Sequence, residues 1–197
     1  VKQSVATTLR YEAELIKGSR FIADIGPAAD ETQAKDFLAR VRTDFPDASH
    51  HCSAWRIAQP AIDRANDDGE PGGSAGRPIL SQLTGRDLVD TIAVVTRWFG
   101  GTKLGVGGLV RAYGGVAGEA LDTMELHPWV VMTEVSLVHG YAHADAIERL
   151  VADLGGEFTD RTFEARVTCT VRLPESSVAE YTRRVADATN GDFTLLD

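Results

Sequence analysis

Apolar and polar residues alternate from residue 9 to 25 around Lys17-Gly18-Ser19, and the pattern predicts a β-hairpin. Ala34, Phe37, Leu38, Val41 and Phe45 then recur at helical spacing, with Asp30 as N-cap and Pro46 as stop. Residues 49–58 read as a strand, and residues 59–76 as a long polar loop rich in Pro and Gly. A short helix over 79–88 and a buried strand over 91–99 follow. Residues 107–124 predict a long helix with Leu109, Tyr113, Val116, Ala117, Leu121 and Met124 on one face.

His127-Pro128-Trp129 closes this block, and a second pattern begins near residue 130. It runs strand 132–141, helix 144–154, strands 157–162 and 165–173, helix 176–189 and strand 192–196. Ile147, Leu150, Val151 and Leu154 stripe its first helix; Val178, Tyr181, Val185 and Thr189 stripe its second. That βαββαβ order is the ferredoxin-like topology. The expected fold class is α+β, with domains at 1–130 and 131–197.

A hydrophobic content of 43% supports a packed core in these 197 residues. No run of 18 apolar residues occurs, so no transmembrane helix is expected. The first residues, VKQSVATTLRYEAE, lack the apolar stretch of a secretion leader, and a cytoplasmic location is expected. Cys52 and Cys169 fall in different predicted domains, so no disulfide is expected. The net charge of −9 is uneven. Residues 132–197 carry six Lys/Arg against twelve Asp/Glu, whereas residues 50–120 carry seven of each. An anionic ligand would therefore meet the middle third.

There the chain reads RWFGGTKLGVGGLVRAY, residues 97–113. Five glycines are interleaved with Arg97, Lys103 and Arg111, and neither Asp nor Glu occurs between Ile92 and Gly118. Glycine lets backbone N–H groups turn toward a ligand, and a helix start supplies unpaired N–H donors. Arg111 falls about 150° from the apolar stripe, using 100° per residue. A cation in the first helical turn opposes the dipole and has no stability reason to be there. Arg97, Lys103, Gly107, Gly108 and Arg111 are thus the candidate phosphate or nucleic-acid ligands. For Arg97, pairing with Asp68 or Glu70 is an equal alternative. Gly114, Gly115 and Gly118 are assigned to close packing of helix on sheet.

Residues 67–78, DDGEPGGSAGRP, form the second informative stretch. Asp67, Asp68 and Glu70 could hold Mg²⁺, supply general-acid chemistry, or only pair with Arg64 and Arg77; ion pairing and loop ordering are expected. The loop over 67–76 is expected to be exposed and to lie against the helix start at Gly107. His51, Asp68, Glu70, Ser74, Arg77 and Tyr113 are the candidate cleft-lining residues. His50-His51-Cys52 lacks the spacing of a zinc site. No metal, cofactor or catalytic residue is assigned.

Several segments carry a family resemblance. They are Asp67-Asp68-Gly69-Glu70-Pro71, Ala75-Gly76-Arg77-Pro78, Thr96-Arg97, Phe99-Gly100-Gly101, Lys103-Leu104-Gly105 and Gly107-Gly108-Leu109-Val110-Arg111-Ala112-Tyr113. In order and spacing they resemble the YigZ/IMPACT family. Gly73-Ser74 and Trp98 depart from the commoner family residues, which are Ser-Gly or Gly-Thr pairs and Tyr. The resemblance covers the whole chain. It implies that the first domain shares the fold of elongation factor G domain IV, and the second that of domain V. It also implies a link to translation, because the eukaryotic IMPACT branch restrains a stress kinase controlling initiation by competing for its activator. Those proteins carry an extra N-terminal domain for which 197 residues leave no room, so that role is not expected to transfer.

Three functions stay open. One is a non-enzymatic binding protein contacting RNA or a ribosome-associated partner. The second is a small-molecule phosphate or nucleotide enzyme on a kinase-like fold. The third is a protein–protein adaptor using the acidic second domain. The first is preferred, because no base or nucleophile is assignable. Oligomeric state is not legible.

Overall fold

The computed structural model describes residues 1–196. Its contacts divide the chain into two compact units, between Trp129 and Val130. The first contains β1 (Gln3–Val5), β2 (Leu9–Glu12), β3 (Arg20–Pro27), α1 (Glu31–Asp44), β4 (His50–Ile57), β5 (Ile62–Asn66), α2 (Gly76–Gly85), β6 (Thr91–Trp98), α3 (Val106–Asp122) and β7 (Leu126–Pro128). Five strands form an antiparallel sheet in the order β2-β3-β6-β4-β5, and β7 returns to pair with β1.

Strand alternation explains the apolar run of β6. Ala93 and Val95 join Phe21, Ala23 and Ile25 of β3 in a core under α2 and α3. Ile92 and Val94 pack on the opposite side against Ala34, Phe37 and Val41 of α1. The sheet is thus buried on both faces. Asp30 caps α1, its Oδ1 accepting from Gln33 N at 2.8 Å.

Residues 59–76 are not one loop. Ile62–Asn66 pairs with β4 at the sheet edge, and only Ile62 in it is large and apolar. The helical glycines also pack differently from expectation. A Cβ at Gly114 would meet Pro78, and one at Gly118 would meet Gln82 at 2.9 Å, so they admit α2 rather than the sheet.

The second unit runs β8 (Met132–His139), α4 (Ala144–Asp153), β9 (Glu157–Phe163), β10 (Val167–Pro174), α5 (Val178–Thr189) and β11 (Phe193–Leu196). Its antiparallel sheet has the order β11-β8-β10-β9, the arrangement of a ferredoxin-like domain. Ile147, Val151, Tyr181 and Val185 of the helices pack on Leu137, Val171 and Leu173. Among the described residues no helix is long and apolar enough to cross a membrane.

Candidate functional site

Arg97 follows Ala93 and Val95 onto the β6 face covered by α2 and α3. It is 4% exposed. Its Nη1 donates to Glu70 Oε1 at 2.6 Å and its Nη2 to Ser19 Oγ at 3.2 Å. The hydroxyl of Tyr113, on α3, donates to the same Oε1 at 2.7 Å. One carboxylate therefore ties a strand and a helix to the loop. Of the two roles open to Arg97, the geometry shows the pairing with Glu70.

Beneath the loop, Cys52 Sγ donates to the carbonyl of Asp67 at 3.0 Å. Burial pushes this thiol up to about 12 and raises the Tyr113 phenol as well. Neither is an activated nucleophile.

The loop is ordered by its own first carboxylate. Asp67 accepts from the N–H groups of Gly73, Ala75 and Gly76 at 2.8, 3.0 and 2.8 Å. Burial opposes its ionisation, but these donors outweigh burial and hold it below the usual carboxylate range. Asp68 accepts from Arg42 at 2.7 Å and from His51 N at 2.6 Å. The expected partners Arg64 and Arg77 are thus replaced. Arg64 pairs with Glu31 at 3.3 Å, while Arg77 acts on Asp67 only through its charge. The loop is less exposed than expected, because Ser74, Ala75 and Gly76 are buried. No group of three or more His, Cys, Asp or Glu among the described residues could hold a metal ion.

The two motifs meet in a depression of about 350 Å³, lined by Glu70, Pro71, Arg97, Phe99, Lys103, Leu104, Gly105, Val106 and Leu109. A neighbouring one of about 220 Å³ shares Leu104 and adds Ile16, Lys17, Gly108 and Arg111. A third of about 360 Å³ lies between α2 and α3, bordered by Arg77, Val110 and Gly114. Together they surround the first turns of α3. A larger depression of about 570 Å³ beside α1 holds Arg10 already paired with Asp24 and Asp44.

Lys17 reaches this region because the hairpin turn lies directly on the β6–α3 connection. A Cβ on Gly100 would stand 1.9 Å from the carbonyl carbon of Gly18, so only glycine fits. Gly105 opens α3 at φ 71, with no side-chain cap and no acid in the first turn. The leading N–H groups of α3 thus have no side-chain acceptor.

Lys103, Gly107 and Arg111 are exposed and Gly108 is half-buried. Lys103 borders the first depression, and Gly108 and Arg111 the second. Among the expected cleft-lining residues, Glu70 borders the first depression, Tyr113 is fully buried behind it, and Asp68 borders none of the three. His51 Nε2 lies 3.0 Å from the carbonyl of Phe45, away from it. Ser74 is buried with Oγ unpartnered, and Arg77 belongs to the third depression. Lys17, Phe99 and Val106 are not among the site residues expected from the sequence. Lys17 and Phe99 flank Gly18 and Gly100, the glycines that bring the two loops together, and Val106 follows Gly105 at the start of α3.

The comparisons agree with this architecture. Residues 17–121 match the Impact N-terminal domain, and residues 137–192 match a domain of unknown function, DUF1949. The chain is 39% identical over 186 residues to "IMPACT family member YigZ" of Escherichia coli, covering 93% of this chain and 91% of that one. It is 38% identical over 95 residues to "Protein IMPACT homolog" of Saccharomyces cerevisiae, covering 45% and 36%. A crystal structure of a hypothetical protein aligns with a TM-score of 0.72 and 37% identity, over 99% of this chain and 96% of that one.

Proposed function

The chain belongs to the IMPACT family, and on that premise we propose that it is a non-enzymatic binding protein linked to the regulation of translation. It contacts RNA or a ribosome-associated partner through the Gly-rich basic cleft, and single-stranded RNA fits that cleft best. The translational link is supported by what the family resemblance implies.

One observation carries the nucleic-acid reading. Three depressions surround the start of α3, and Lys17, Lys103, Arg77 and Arg111 stand along them. Glu70, the carboxylate among their lining residues, is neutralised by Arg97. A string of cations beside an exposed aromatic ring suits a polymer of phosphates and bases better than one small ligand. A phosphate-transferring enzyme is less supported, because Glu70, the carboxylate that lines these depressions and could act as a base, is held by Arg97 and Tyr113.

Co-purification from cells with and without nuclease tests this reading, together with binding of a single-stranded oligoribonucleotide at low salt. Nuclease-sensitive association and salt-dependent affinity are expected. A protein with no measurable affinity for RNA at low salt would refute the RNA reading.

A further inference from the structure

We infer that the 350 Å³ depression receives the base of an unpaired nucleotide, stacked on Phe99, while the phosphates run outside over Lys103, Lys17 and Arg111. This rests on reading the cleft as an RNA site, and it reverses what the Gly-rich sequence suggests, which is a phosphate cradle.

The floor excludes phosphate. Glu70 lies there, and the Arg97 guanidinium is already paired with it at 2.6 Å. An entering phosphate would meet this closed ion pair, which offers no net positive charge at that floor to offset the loss of its hydration. A base fits better, being apolar on its faces and polar on its edge. The walls are Pro71, Leu104, Val106 and Leu109. Both hydrogen bonds accepted by Glu70 fall on Oε1, leaving Oε2 to receive a ring N–H or amino group.

Phe99 supplies the platform. Its ring borders the depression and is 50% exposed, an unfavourable position for so large an apolar group. The backbone is pinned there by Phe99 N donating to Ser49 Oγ at 3.0 Å, and the Arg97 guanidinium lies 5.5 Å from the ring centroid. A ring held in place and left half in solvent is ready to stack at little ordering cost. Outside it, Lys103 stands at the same depression, and Lys17 and Arg111 at the one sharing Leu104. A backbone leaving the base therefore has a cationic path, and a base paired in a duplex could not enter.

The test uses the full chain and three probes: a single-stranded ten-nucleotide RNA, the same strand with its bases removed at central positions, and its duplex. Wild type should prefer the intact single strand. Phe99→Ala should weaken that complex about tenfold, the order measured for loss of one stacked base. It should leave the salt slope and the binding of the abasic strand unchanged. Phe99→Tyr should restore affinity, whereas Phe99→Leu, which keeps bulk without a flat ring, should not. Circular dichroism confirms folding, and Phe99→Leu serves if the alanine variant is unstable. RNA binding that ignores Phe99, or that is equal for intact and abasic strands, overturns this inference alone and leaves the depression to a protein side chain. Absence of any RNA binding overturns it together with the reading of the cleft.

Discussion

Arg97 and Glu70 meet at 2.6 Å with each side chain 5% exposed, joining the end of β6 to a loop 27 residues earlier in the chain. Residues that read as one cationic cluster thus divide into a buried, paired member and exposed ones.

Arg97→Ala should therefore destabilise the fold by about 3–5 kcal/mol, because it leaves a buried carboxylate without its partner. Lys103→Ala and Arg111→Ala should leave the urea midpoint where it is, since both side chains are exposed. Equal midpoints for all three variants would contradict this division.

On the proposed reading of the cleft, Lys17, Lys103 and Arg111 make the phosphate contacts. Three contacts to a single strand give a log–log salt slope of roughly −2. Replacing all three by Ala should flatten that slope and lower affinity while the thermal transition holds. A steep slope retained by the triple variant would place the phosphates elsewhere.

Acid should loosen the loop. The folded pKa of Asp67 is depressed, so its contribution is present above the unfolded value of about 3.9 and is lost as pH falls through the lower folded value. Asp67→Asn should be less stable at neutral pH, and the difference should shrink as pH drops below about 4. Urea unfolding at several pH values reads this, and a pH-independent difference would refute it.

The first unit should stand alone. Residues 1–130 contain two packed cores on opposite faces of one sheet. A protein of those residues should unfold cooperatively and bind RNA like the full chain. A well-folded fragment without RNA affinity would mean that the second unit contributes to the site.

Strong periodicity made most of the fold legible. The runs of β3 and β6 and the stripe of α3 are long and apolar, and they allow one reading each. β5 escaped because an edge strand with one solvated face needs almost no apolar residues. The site was harder to read because its logic is not local. Both Arg97 and Lys103 look like cations in a glycine-rich stretch, and only the folded arrangement shows that one faces Glu70 and the other solvent. Lys17 sits in a hairpin turn 86 residues before Lys103, and no periodicity reports that Gly18 and Gly100 touch. Phe99 reads as the last core residue of a strand until the structure shows the strand ending one residue earlier.

The loop around Asp67 has a consequence of its own. Successive backbone N–H groups turned inward form the kind of concavity that captures free anions. In this chain the anion is tethered, since Asp67 lies six residues before the first of the three donors it satisfies. A ligand supplied on the same chain has a high effective concentration and loses little translational freedom on binding. The loop is thus a nest already occupied by its own residue, and its glycines serve the architecture of the cleft rather than the capture of a guest.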